Sequence, residues 1–194
     1  VGELRAGQYQ TPMGLDVMAV LGSERAREYL VDLYHQGQYH GYLAALDGLR
    51  AEFAGYDSAD WNRNAYYGWL YALKLNLEPV KAEGLKSSLA AFVRSEAYPD
   101  KTLVTSSGSW AQLRHDTILY AKQSYTTEGM VIETKQPRHV AYVEPRPAVF
   151  RQLTILSRQL LSRLTSMGSQ NQEVAGKLGR YADLVARLAR IADD

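Results

Sequence analysis

WNRNAYYGWLYALKLNLEP, residues 61–79, decides how this chain folds. From Ala65 to Leu73 it is apolar almost all round, at a length and spacing that predict a helix over about 59–77. Asp57 or Ser58 suits its N-cap, and Pro79 stops it. A helix apolar on every side is buried on most of them, so this segment is the centre around which other helices pack. Ala65, Gly68 and Ala72 add a stripe of small residues that allows close approach of a neighbour.

The flanking sequence is also helical in pattern. Residues 15–21 read as a short apolar helix ended by Gly22, and Ser23 caps a helix over 24–34 with Glu24 in its first turn. Tyr39, Leu43, Leu46, Leu49 and Phe53 mark an amphipathic helix over 38–54, and 84–95 a shorter one. Pro99-Asp100 and TSSGS at 105–109 read as a loop, with Ser107 or Ser109 capping a helix that runs to about 126. MVIET at 130–134 and HVAYV at 139–143 are the β-like runs, with prolines 137, 145 and 147 around them. Pro147 suits the first turn of a helix through about 165, MGSQN at 167–171 is a turn, and Val174, Leu178, Tyr181, Val185 and Leu188 form the seam of a last helix. The expected architecture is mainly α: a multi-helix orthogonal or bundle-like array, a short β-like arm or hairpin near 130–143, and a C-terminal antiparallel helical hairpin.

Composition narrows the function classes. At 194 residues, 46% apolar and 22% charged, the chain suits one globular domain with a full core, or two small ones. No apolar run is long enough for a membrane span. There is no cysteine, which excludes disulfides, thiol catalysis and thiolate zinc sites. Residues 1–100 carry 9 basic and 13 acidic side chains, whereas 146–194 carry 8 and 4. A basic tail of that size suits an acidic protein surface and falls short of a nucleic-acid footprint.

Two stretches concentrate polar and aromatic residues. In GSWAQLRHDTILYAKQSY, 108–125, the helical wheel puts Arg114 in the arc of Trp110, Thr117, Ile118, Ala121 and Tyr125, and turns His115 and Asp116 away from it. Neighbouring His115 and Asp116 diverge by about 100° on a helix and form no relay with each other. An arginine on an apolar face needs a carboxylate or several carbonyl oxygens; Asp16, Asp60 and Glu144 are candidates by chemistry. Arg114 is therefore expected either as a buried structural ion pair or as an anion clamp, with Trp110 and Tyr120 of the same stretch as further ligand contacts. The second stretch is Trp61, Asn62, Arg63 and Asn64, in a first turn whose free N–H groups favour anions. With Tyr66, Tyr67, Trp69 and Tyr71, Trp61 reads as an aromatic core or as a platform for a sugar. His115, Asp116 and Glu144 are the candidate catalytic residues of a hydrolase acting on a polar or saccharide-like substrate. His35, His40 and His139 have no metal spacing, phosphate-loop, dinucleotide and nucleophile-elbow patterns are absent, and neither a metal nor a cofactor is expected.

Four blocks carry a family resemblance: GLDVMAVLGSERA (14–26), WNRNAYYGWLYALKLNLEP (61–79), GSWAQLRHDTILYAKQSYT (108–126) and YVEPRPAVF (142–150). In this order they resemble a large bacterial and archaeal family known as domain of unknown function 3160. The resemblance implies a single helical domain over 1–194 that is a fragment of a longer protein, extracellular or at the cell envelope. On the residue patterns themselves, its parts would be an aromatic-rich helical core (12–126), an extended arm (127–147) and a helical hairpin (148–194). It supplies no catalytic residue. The expected function is a helical scaffold or binding segment, with the rest of the parent protein, or a small polar ligand or glycan, as partner. The alternative is part of the hydrolase described above. No oligomeric state follows from the residues.

Overall fold

Two side-chain caps seven residues apart organise the middle of the chain. Asp57 Oδ1 accepts from the backbone N–H of Ala59 (2.7 Å) and Asp60 (2.9 Å), and starts α4, Ser58–Asn62. Asn64 Oδ1 accepts from Tyr67 N (2.9 Å) and starts α5, Ala65–Leu77. Asn64 is extended (φ −156°, ψ 172°), so the single helix expected over 59–77 is two helices with a break at Arg63–Asn64. The physical reason is that asparagine and aspartate bind orphan N–H groups better at a helix start than they tolerate a helix interior.

The computed structural model describes residues 12–83, 85, 87–117, 142–167 and 172–193, with the Asp116 side chain outside the description. Among the described residues there are nine α-helices and no strand, so the chain is mainly α. The β-like runs at 130–134 and 139–143 fall outside the described residues, apart from Tyr142 and Val143, which are irregular.

Before α4 come α1 (Gly14–Val20), α2 (Glu24–Glu28), which widens into a π-turn over Tyr29–Leu33, and α3 (Tyr42–Ala54). Gly22 turns the chain between α1 and α2 at φ 108°, a backbone state in which a side chain is strained. Ser23 Oγ then accepts from Ala26 N (3.1 Å). Met18, Ala19, Leu21, Ala26 and Leu30 from this layer are buried with Leu46, Trp61, Leu70, Leu73, Leu103 and Leu113 in one core.

After α5 come α6 (Ser87–Val93) and α7 (Ala97–Thr117). The loop expected at 99–109 is helix. Pro99 lies in the first turn of α7, where no intrahelical N–H is needed. Thr102, Ser106 and Ser109 lie on its packed face, while Thr105 is exposed. Ser106 is fully buried and accepts from Asn76 Nδ2 (2.9 Å), and Ser109 accepts from Trp69 Nε1 (2.9 Å). Thr102 and Thr105 donate to main-chain carbonyls one turn back. Small side chains let α5 come close, and the hydroxyls of Thr102, Thr105, Ser106 and Ser109 are bonded, so a turn-like composition builds a helix contact.

The last two helices are α8 (Pro147–Ser166), with proline at its start, and α9 (Gln172–Asp193). They lie side by side in opposite directions: Arg151 near the start of α8 pairs with Asp193 at the end of α9. The pair joins the rest of the molecule through α8 on α5. Gly68 is the contact point, where a Cβ would lie 3.2 Å from Leu156 Cδ1. Buried Gln152 locks it, donating from Nε2 to Gly68 O (3.2 Å) and to Asn62 Oδ1 (3.0 Å).

Candidate functional site

Each residue of the WNRN stretch has a structural occupation. Trp61 is buried, stacked on Tyr71 (centroids 5.2 Å apart, planes 14°) and flanked by Phe53 and Tyr56. Asn62 accepts from Gln152 and donates to Ser58 O. Arg63 is exposed, its guanidinium carbon 3.4 Å from the Tyr67 ring centroid, and Asn64 is the cap of α5. Trp61 thus sits inside the core, among rings that face one another.

The α7 stretch divides differently from its wheel. Trp110 is half-buried against Gly14, and Arg114 is exposed, its guanidinium carbon 5.0 Å from the Trp110 ring centroid. The buried arc expected for Arg114 belongs instead to Thr102, Ser106 and Leu113, and Arg114 lies one residue, about 100°, round from Leu113. The carboxylates that could have paired with it are used elsewhere: Asp16 accepts from Tyr42 OH and Met13 N, Asp60 from Asp57 N, and Glu144 from Lys101. His115 is exposed. Tyr120 lies outside the described residues.

Glu144 is at the other end of α7. It pairs with Lys101 and accepts from Tyr142 OH (2.7 Å) and Tyr98 OH (3.3 Å). From Lys101 to His115 is about 21 Å of helix axis at 1.5 Å per residue. The fold therefore does not bring Glu144 and His115 to one reacting centre.

The polar residues that do converge lie around the start of α7. Asp100 accepts a two-pronged contact from Arg25 (Nε to Oδ1 2.7 Å, Nη2 to Oδ2 3.1 Å) and a hydrogen bond from Tyr29 OH (2.7 Å). These bonds, Arg25 first, hold its carboxyl down at about 2, and Asp100 in turn raises the pKa of Tyr29. Beside it, burial and then the nearby charge of Arg146 pull the Lys101 ammonium down.

Arg146 is the residue that sequence reasoning overlooked. It is 6% exposed. Its Nη1 donates to Leu75 O (3.1 Å) and Glu78 O (2.8 Å), the carbonyls at the end of α5, where a cation is favoured. Its guanidinium carbon is 5.3 Å from the Tyr98 ring centroid. No carboxylate pairs with it among the described residues, and its buried Nε has no acceptor. Burial accordingly lowers its pKa. The available signal was Pro145-Arg146-Pro147, an arginine whose backbone is constrained on both sides. Arg146 stands between two clefts: one of about 280 Å³ lined by Ser23, Arg25, Tyr98 and Thr102, and one of about 400 Å³ lined by Leu75, Lys81, Pro147 and Asp193. A third, apolar cleft of about 390 Å³ lies between α5, α7, α8 and α9, walled by Trp69, Leu113, Leu156 and Tyr181.

Among the described residues no group of histidine, aspartate or glutamate could hold a metal ion, and no helix is long and apolar enough to cross a membrane. No curated protein and no solved structure matches this chain. A family model described as protein of unknown function (DUF3160) matches residues 3–194, and with that coverage the chain belongs to the DUF3160 family.

Proposed function

We propose that this chain is a helical scaffold and binding segment of a larger cell-envelope or secreted protein, serving binding rather than hydrolysis. The observation that carries this reading is the separation of Glu144 from His115 by most of the length of α7. The occupation of Trp61, Asn62 and Asn64 in core, bridge and cap supports it further. So does the outer face of α9, where Leu184 and Ile191 are exposed. An apolar stripe of this kind suits contact with other parts of a parent protein or with a partner. The location is carried over from the family resemblance.

The test is a turnover screen of the purified chain against chromogenic carboxylic esters, phosphate esters and glycosides. The expected result is no hydrolysis above that of the His115→Ala and Glu144→Gln variants. Hydrolysis by the unsubstituted chain that either substitution abolishes would overturn the scaffold reading in favour of a hydrolase.

A further inference from the structure

We propose that Arg146 is the receptor for a small monocarboxylate ligand in the cleft between α2, the end of α5 and the start of α7. A guanidinium has two edges with paired donors. In Arg146 the Nη1 group is committed to Leu75 O and Glu78 O. The Nε and Nη2 edge has no acceptor at ordinary hydrogen-bond geometry: Nε is buried without one, Nη2 donates to no described residue, and the nearby Tyr98 side chain offsets only part of the burial. Two parallel N–H groups on one edge match the two oxygens of a carboxylate, and such a contact is stronger and more specific than a single bond. A buried donor with no partner costs stability, so a ligand that satisfies it gains that cost back on binding.

The charges around the site indicate how much charge the ligand carries. The nearby half-buried carboxylates already have their own cations, Asp100 with Arg25 and Glu144 with Lys101, and exposed Glu78 has Lys74 (3.0 Å). Arg146 is the surplus cation among them. Glu24, Glu28, Glu78 and Glu96, which also line this cleft, are exposed and solvated. One negative charge balances Arg146, whereas a phosphate dianion would meet this acidic rim with a charge to spare. The about 280 Å³ of the cleft suits a molecule of a few heavy atoms. Tyr98, under the guanidinium, and Thr102 complete the wall.

The test is a titration of the full chain with sodium propionate at constant ionic strength, followed on the arginine Nε–H signals in a proton–nitrogen NMR spectrum. Propionamide, of the same shape but uncharged, and inorganic phosphate are the controls. One Nε–H signal is expected to move saturably with propionate, to stay still with propionamide, to move less with phosphate, and to be missing from Arg146→Lys. Lysine keeps the charge at the end of α5 but lacks the fork. An Arg146 signal that does not move, that moves equally with propionamide, or that saturates earlier with phosphate overturns the proposal. If Arg146→Lys does not fold, the propionate, propionamide and phosphate comparison on the unsubstituted chain decides by itself: exactly one saturable, propionate-selective Nε–H shift supports the site, and none refutes it. Either outcome leaves the hydrolysis screen unaffected.

Discussion

Gln152→Glu isolates the joint between the last two helices and the rest of the molecule. The substitution keeps the shape of the side chain and replaces an NH₂ donor by an oxygen. In the native structure that NH₂ faces two oxygens, Asn62 Oδ1 and Gly68 O, and Gln152 is 3% exposed. An ionised glutamate there would set a buried negative charge against two acceptors, so the group keeps its proton instead. Its folded pKa is then raised above the unfolded value of about 4.3. The sign follows directly: the penalty is absent below about pH 4 and grows as pH rises, by about 1.4 kcal/mol per unit while the folded form remains protonated. At pH 7 this amounts to as much as about 4 kcal/mol, a large share of the 5–15 kcal/mol that holds a typical domain together. Gln152→Leu is the comparator. It loses two hydrogen bonds and should cost about 1–3 kcal/mol with no dependence on pH. Urea denaturation followed by circular dichroism at pH 4.5 and 7.5 measures both. A Gln152→Glu protein whose deficit relative to the unsubstituted chain is the same at the two pH values would refute the buried, donor-specific joint.

Two further outcomes follow from the α7 environment. The Asp100 carboxyl, held at about 2 against an unfolded 3.8, contributes stability that is complete above about pH 4 and is lost as pH falls toward 2; Asp100→Asn should flatten that acid limb in melting temperature against pH, and an unchanged limb would contradict the Arg25 and Tyr29 contacts. Arg114→Ala should cost less than about 1 kcal/mol, the worth of an exposed arginine over a tryptophan, and a loss of 3–5 kcal/mol in a thermal or urea melt would instead indicate a buried ion pair.

The legible parts of the fold were those with a local cause. Ser23 and Asp57 as caps, Gly22 as a turn, Pro79 as a stop and Pro147 as a start all act within a few residues, and the helices they bound are present. The TSSGS run was misread because its local preference is for a turn, while its actual role depends on Asn76 and Trp69, 30 and 40 residues earlier. That error moved the packed face of α7 in the wheel and put Arg114 inside it. The break at Asn64 had a local signal, an asparagine before an apolar run, outweighed by the continuous hydrophobicity on either side. Arg146 was invisible for the opposite reason. Its burial is made by carbonyls of α5 and a ring of α7, none of which has a pattern that points to position 146.

The reach of Arg146 has a consequence for synthesis of the chain. Its bonds to Leu75 O and Glu78 O span 71 and 68 residues. At roughly 5–20 residues per second, α5 waits on the order of 4–14 s after leaving the ribosome before its capping arginine exists. The Gln152 joint to Gly68, at a separation of 84 residues, arrives later still. During that interval this apolar helix has an open end and an uncovered glycine face, so this stretch is where a nascent chain would need a chaperone.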